Sequence, residues 1–203
     1  MQPPIYNAMI KPTARFTRLS AAERRSSLIA AALECMSEVG LAGFTVDRIS
    51  EKAGVSRGLI THHFGSMAGL MTAVYAHLYA EVIPTSEALP AGPGRLAALI
   101  DHLFDPKFFN RHDLNMWLTM WGAIANTPEL MEEHRSQYDG YIQMVADAIK
   151  ERAPVPDACM LAKTFICLVD GLSLQHCIDP PSMPADMARQ AAVEFLESRF
   201  RSL

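Results

Sequence analysis

No stretch of eighteen uncharged apolar residues occurs in this 203-residue chain, and its opening segment MQPPIYNAMIKPTARFTRLS has no hydrophobic run of the kind a secretory leader needs. Neither export nor membrane insertion is expected, which leaves the cytoplasm and no membrane partner. Cysteine is scarce. Cys35, Cys159, Cys167 and Cys177 show neither Cys-x-x-Cys nor a Cys/His ligand spacing, and four thiols in a chain this large make a poor disulfide framework, so they read as core thiols. Catalytic signatures are missing too: there is no His-Glu-x-x-His, no Ser-x-x-Lys, no P-loop and no Gly-x-Gly-x-x-Gly. That argues against an enzyme, and no cofactor is expected. No segment alternates with period two, and no internal repeat is present, so the expected fold is all-α.

The chain also lacks an overall basic charge; its net charge of −4 argues against nucleic acid until it is divided. Residues 1–65 carry eight Lys/Arg against five Asp/Glu, and the rest carries ten against seventeen. A modestly basic module on an acidic body suits a protein that touches phosphates with one end only.

What is present is concentrated between Thr45 and Phe64, TVDRISEKAGVSRGLITHHF. Val46, Ile49 and Ala53 fall at helical spacing, Val55 fills a turn, and Ile60 with Phe64 forms an i, i+4 apolar pair that holds a second helix on the first. Thr45 and Ser56 stand where each helix wants an N-cap, and Gly54 supplies the permissive backbone between them. This is a helix-turn-helix. Its second helix is left with Arg57, Gly58, Leu59, Thr61, His62 and His63 exposed, a surface suited to a major groove of double-stranded DNA. Arg57, Thr61 and His62 are the candidates for base edges; Thr45, Arg48, Ser56 and His63 are candidates for phosphates. His62 and His63 point about 100° apart on a helix and cannot share a metal without a third ligand, so no metal site is expected.

A Pro-rich, basic, flexible arm over 1–19 offers Lys11, Arg15 and Arg18 as further phosphate contacts. Ser20 and Glu23 form a capping box that opens the DNA-binding domain, 20–65, with a helix running to Gly40. Ser66 caps a fourth helix with apolar residues every four positions until Pro84, a lever into an effector-binding and dimerisation domain over 66–203. After the breaker LPAGPG at 89–94, helices are expected over 95–104, 106–126 with a break near Asn110, 128–153, 156–178 and 184–201.

Trp117 and Trp121 stand at i, i+4 and present two indoles on one face, half of an aromatic cage for a quaternary ammonium group. Asp170, inside an otherwise apolar helix, needs a partner, which can be a ligand cation, a donor or a residue across a dimer. Tyr138, Tyr141, Phe104 and Phe108 complete the candidate cavity. The plain alternative for the tryptophans is core packing.

An N-terminal helix, this helix-turn-helix and then HHF-GSM-AGL running into a long fourth helix resemble the TetR family of bacterial transcriptional regulators. WLTMWGAIANTPEL and LVDGLSLQ are similar to its choline-responsive BetI branch. The resemblance implies a ligand-responsive repressor, a homodimer paired through 128–153 and 156–178 and seated on a palindromic operator. A small-molecule effector would shift the fourth helix and release DNA. Two departures stand out. Met67 occupies the place of a phosphate-gripping Lys and His63 that of a Tyr; Ser173 and Gln175 replace a Trp and an Arg of BetI-type relatives. A DNA-binding dimer without an effector, or an all-α enzyme, are the competing readings.

Overall fold

The computed structural model describes residues 19–201; the arm residues Lys11, Arg15 and Arg18 lie outside the described residues. Among these residues the chain is entirely helix, turn and loop. Helix α1 (Ala21–Val39) begins at the expected capping box: the Glu23 amide donates to Ser20 Oγ at 3.2 Å and the Ser20 amide donates to Glu23 Oε2 at 2.7 Å. It stops at Gly40, whose φ of 65° opens a short turn back over the helix end. That turn closes tightly, since a Cβ on Gly43 would collide with the Cys35 carbonyl.

Helices α2 (Val46–Ala53) and α3 (Gly58–Phe64) cross at Gly54, which sits in the left-handed region at φ 63°, ψ 38°. Helix α4 (Met67–Val82) starts where the Gly69 amide donates to Ser66 Oγ at 3.0 Å. The second half holds α5 (Arg95–Leu103), α6 (Arg111–Ile124), α7 (Pro128–Arg152), α8 (Ala158–Ile178) and α9 (Ala185–Phe200). The break foreseen near Asn110 is a turn whose last residue, Asn110, caps α6 through the Asp113 amide at 3.1 Å.

Two hydrophobic cores form. The first joins Leu28, Ala32 and Met36 of α1 with Ile49, Ile60, Leu70 and Val74. It extends into α6 through Met116, Met120, Ala123 and Ile124. The second is built around α7, whose Val145, Ala146, Ala148 and Ile149 are fully buried, against Leu99, Phe165, Ile166 and Leu196. Helix α7 packs on α4, α5, α6 and α8, so its apolar stripe is consumed inside the subunit.

Helix α8 is long and apolar enough by length and composition to cross a membrane, but it packs on α6, α7 and α9. Part of its surface stays uncovered, with Met160 near its start and Ile178 at its end exposed, as is Met187 of α9. Cys35 and Cys177 are buried as core thiols, whereas Cys159 and Cys167 are exposed on α8, against expectation.

Candidate nucleic-acid interface and effector cavity

Thr45 caps α2 as foreseen, with the Arg48 amide donating to its Oγ1 at 3.4 Å. Ser56 does not cap α3. The residue at the cap position is Arg57, which is already helical at φ −50°, ψ −40°, and a side-chain cap needs an extended residue there; Ser56 instead offers its carbonyl to the Leu59 amide at 3.0 Å.

On α3, Gly58, Thr61 and His62 are exposed, while Leu59 and His63 are half-buried rather than free. His63 lies against the rings of His62 and Phe64, at 5.1 and 6.3 Å. A Cβ at Gly58 would meet nothing within 4 Å, so the fold itself does not demand glycine there. Arg57 is exposed, and its Nε pairs with Asp47 Oδ1 at 2.7 Å. Arg48 pairs with Glu38 at 3.3 Å, and Lys52 bridges Glu34 and Glu38, so α1 engages both cations of α2. Arg25 of α1 lies 4.8 Å from the centre of the Phe64 ring, at the far end of α3.

In the second half, a cavity enclosing about 90 Å³ lies between α4, α6, α7 and α8. Trp117, Trp121, Tyr138, Tyr141, Phe108 and Asp170 all line it. Phe104 does not: the turn after α5 swings it into the core, where it packs on Phe109 with ring centres 4.9 Å apart. The cavity also has a wall the sequence reading missed, Tyr75 and Tyr79 of α4, together with His134, Ser173 and Phe109. Tyr75 meets Trp117 edge-on at 6.1 Å and 89°, and Trp121 lies 6.5 Å from Trp117. Two tyrosine hydroxyls already have partners. Tyr75 Oη and His134 Nδ1 are 2.8 Å apart, and Tyr79 Oη donates to the Gln137 carbonyl at 2.8 Å.

The electrostatics of this cavity are one-sided. Among the described residues its walls hold no Lys or Arg. Burial lowers the pKa of His134, which favours the neutral ring. Asp170 makes no hydrogen bond or ion pair among the described residues, and burial pushes its carboxyl up to about 7. Ser173, one turn further along α8, is likewise without a hydrogen-bond partner. Chemically, the cavity is a set of ring faces with one unsatisfied carboxylate, which complements an organic cation.

Residues 93–201 match the family described as the C-terminal domain of BetI-type transcriptional repressors, and residues 28–74 match the N-terminal region of bacterial regulatory proteins of the TetR family. The chain belongs to the TetR family. It carries the BetI-type C-terminal domain, and among its relatives is the HTH-type transcriptional regulator BetI of Ectopseudomonas mendocina. The two are 31% identical over 180 residues, 86% of this chain and 92% of the relative. A crystal structure of a transcriptional regulator from Pseudomonas aeruginosa PAO1 aligns with a TM-score of 0.79 at 27% identity, covering 91% of this chain and 94% of that one. A regulator from Saccharomonospora viridis, solved in complex with choline, shares the fold at a TM-score of 0.72 and 20% identity over 87% of this chain and 96% of its own. As a TetR-family member the chain is a DNA-binding transcriptional regulator of the repressor type and not an enzyme.

Proposed function

We propose that this TetR-family repressor acts in the cytoplasm as a homodimer on a palindromic operator, and that choline or another quaternary ammonium compound releases it from DNA. The observation that carries the reading is Asp170, a carboxylate without a partner at the wall of a cavity lined by tryptophans and tyrosines. An ammonium group supplies the missing charge, and ring faces hold its methyls at roughly 0.5–2 kcal/mol each. The choline bound by the Saccharomonospora viridis regulator supports the choice of ligand class.

At the DNA end, Arg57, Thr61 and His62 are assigned to base edges, with Gly58 allowing close approach of the duplex. Thr45, Arg48, Ser56 and His63 are assigned to phosphates, and Leu59 to apolar contact at the rim. Arg57 keeps both Nη groups available while Asp47 holds its Nε, the fork that guanine O6 and N7 require. Pairing of subunits through the uncovered faces of α8 and α9 would bury Met160, Ile178 and Met187.

Helix α4 links the two ends: Tyr75 and Tyr79 form the cavity wall while Leu70, Met71 and Val74 sit in the DNA-binding core. A ligand that repositions the tyrosines moves the seat of α3. The test is a mobility shift of the DNA flanking the gene, titrated with choline chloride against equal sodium chloride, with melting followed in parallel. Release by choline and not by sodium, with a raised Tm, is expected. A complex and a melting point untouched by choline and by tetramethylammonium would refute the cation reading.

A further inference from the structure

The cavity does not end at its aromatic wall. Trp121, His134 and Tyr138 also line an open groove of about 430 Å³ between the end of α6 and the first half of α7. Ile124, Ala125 and Met131 make it largely apolar, with Ala125 and Met131 exposed. Arg135 and Asp139 complete its lining, exposed and with no ion-pair partner among the described residues. Small-molecule sites usually span about 300–1,000 Å³. The inner void of about 90 Å³ falls well short of that, so a ligand seated beside Asp170 that fills a site of ordinary size must extend past Trp121, His134 and Tyr138 into the adjoining groove of about 430 Å³.

We infer that the groove is the outer half of the effector site and holds the apolar tail of an ammonium compound whose cationic head sits in the cavity beside Asp170. The favoured ligand is then a tailed ammonium rather than a compact one. This rests on the cation reading above. The partition between the two chambers is made of side chains: His134 lies against Tyr138 with ring centres 5.0 Å apart, and Trp121 stands at the α6 side. Because the partition is side chain and not backbone, rotation of these rings, with release of the Tyr75–His134 hydrogen bond, would join the chambers. The choice of an apolar tail over an anionic one follows from charge, because Arg135 and Asp139 oppose each other and the groove has no net attraction for an anion.

Isothermal titration of the full chain with choline and with hexyltrimethylammonium tests this. The hexyl compound should bind at least about tenfold more tightly than choline, the gain expected when a few methylenes leave water. Met131→Asn and Ala125→Gln change exposed positions and should each cut that ratio by about threefold or more, with choline affinity unchanged. Equal affinities for the two compounds, or a ratio that neither substitution alters, would overturn the inference while leaving the cation reading intact. Failure of both compounds to bind would remove both.

Discussion

The two working ends of this molecule treat charge in opposite ways. In α2 and α3 the cations Arg48, Lys52 and Arg57 already have carboxylate partners, and the pairs are exposed. In the cavity, Asp170 has none and is largely shut off from water. Exposed ion pairs contribute little and are screened by salt, so phosphates can displace Glu38 or Asp47 at small cost. A buried lone carboxylate is costly, and burial raises the proton affinity of Asp170. The ion pairs of α2 can therefore be exchanged at little cost, whereas ionised Asp170 carries a penalty that either a proton or a bound cation relieves.

The sharpest way to break the comparison is at the joint between the ends. Met120 is fully buried where α6 enters the DNA-binding core. Met120→Ala should lower the unfolding free energy by about 2–5 kcal/mol in urea titration, as a large core truncation does; a change near zero would mean that α6 does not share that core. Asp170→Asn comes next and has the opposite sign. Because the folded pKa is raised to about 7, the contribution of Asp170 to stability is present in acid and lost as pH rises through 7. The Asn variant should thus melt higher at pH 8, by roughly 3 kcal/mol of stability, with the gap closing toward pH 4. It should also lose choline affinity about a hundredfold. In the parent protein, choline should bind more tightly at pH 8 than at pH 6, since the carboxylate must ionise to meet the cation.

At the other end the expected effects are smaller. Arg57→Ala should cost about 1–3 kcal/mol of discrimination at one operator position, read by competition among single-base variants. Uniform loss on every duplex would assign Arg57 to the backbone instead. Glu38→Gln, which frees Arg48 and partly frees Lys52, should strengthen DNA binding at low salt and steepen the salt dependence by about one phosphate contact.

Local chemistry was legible in the sequence because it is written within four residues. The Ser20–Glu23 box, the Thr45 and Ser66 caps, Gly40 and Gly54 fix helix ends within a residue or two of expectation, whereas the break near Asn110 delays α6 to Arg111. Trp117 and Trp121 were found by spacing, and Asp170 by its oddness in an apolar helix. What escaped depends on distant pairings. Tyr75 and His134 are 59 positions apart, and in sequence Tyr75 is one more apolar position of a lever helix. Phe104 and Phe108 cannot be ranked until the turn between α5 and α6 decides which one enters the core. The Ser56 cap failed because a serine before a helix signals a boundary without fixing its backbone angles. That α7 spends its apolar stripe inside the subunit is visible only once the helices are assembled.

On α6, Met120 is buried in the core shared with α1–α4 and its neighbour Trp121 lines the aromatic cavity. Two adjacent codons therefore answer to different demands through one rigid rod. Under the proposed effector role, variation that retunes which molecule is sensed would also shift the resting occupancy of the operator, so new specificities in this scaffold would arrive together with altered leakiness of the genes they govern.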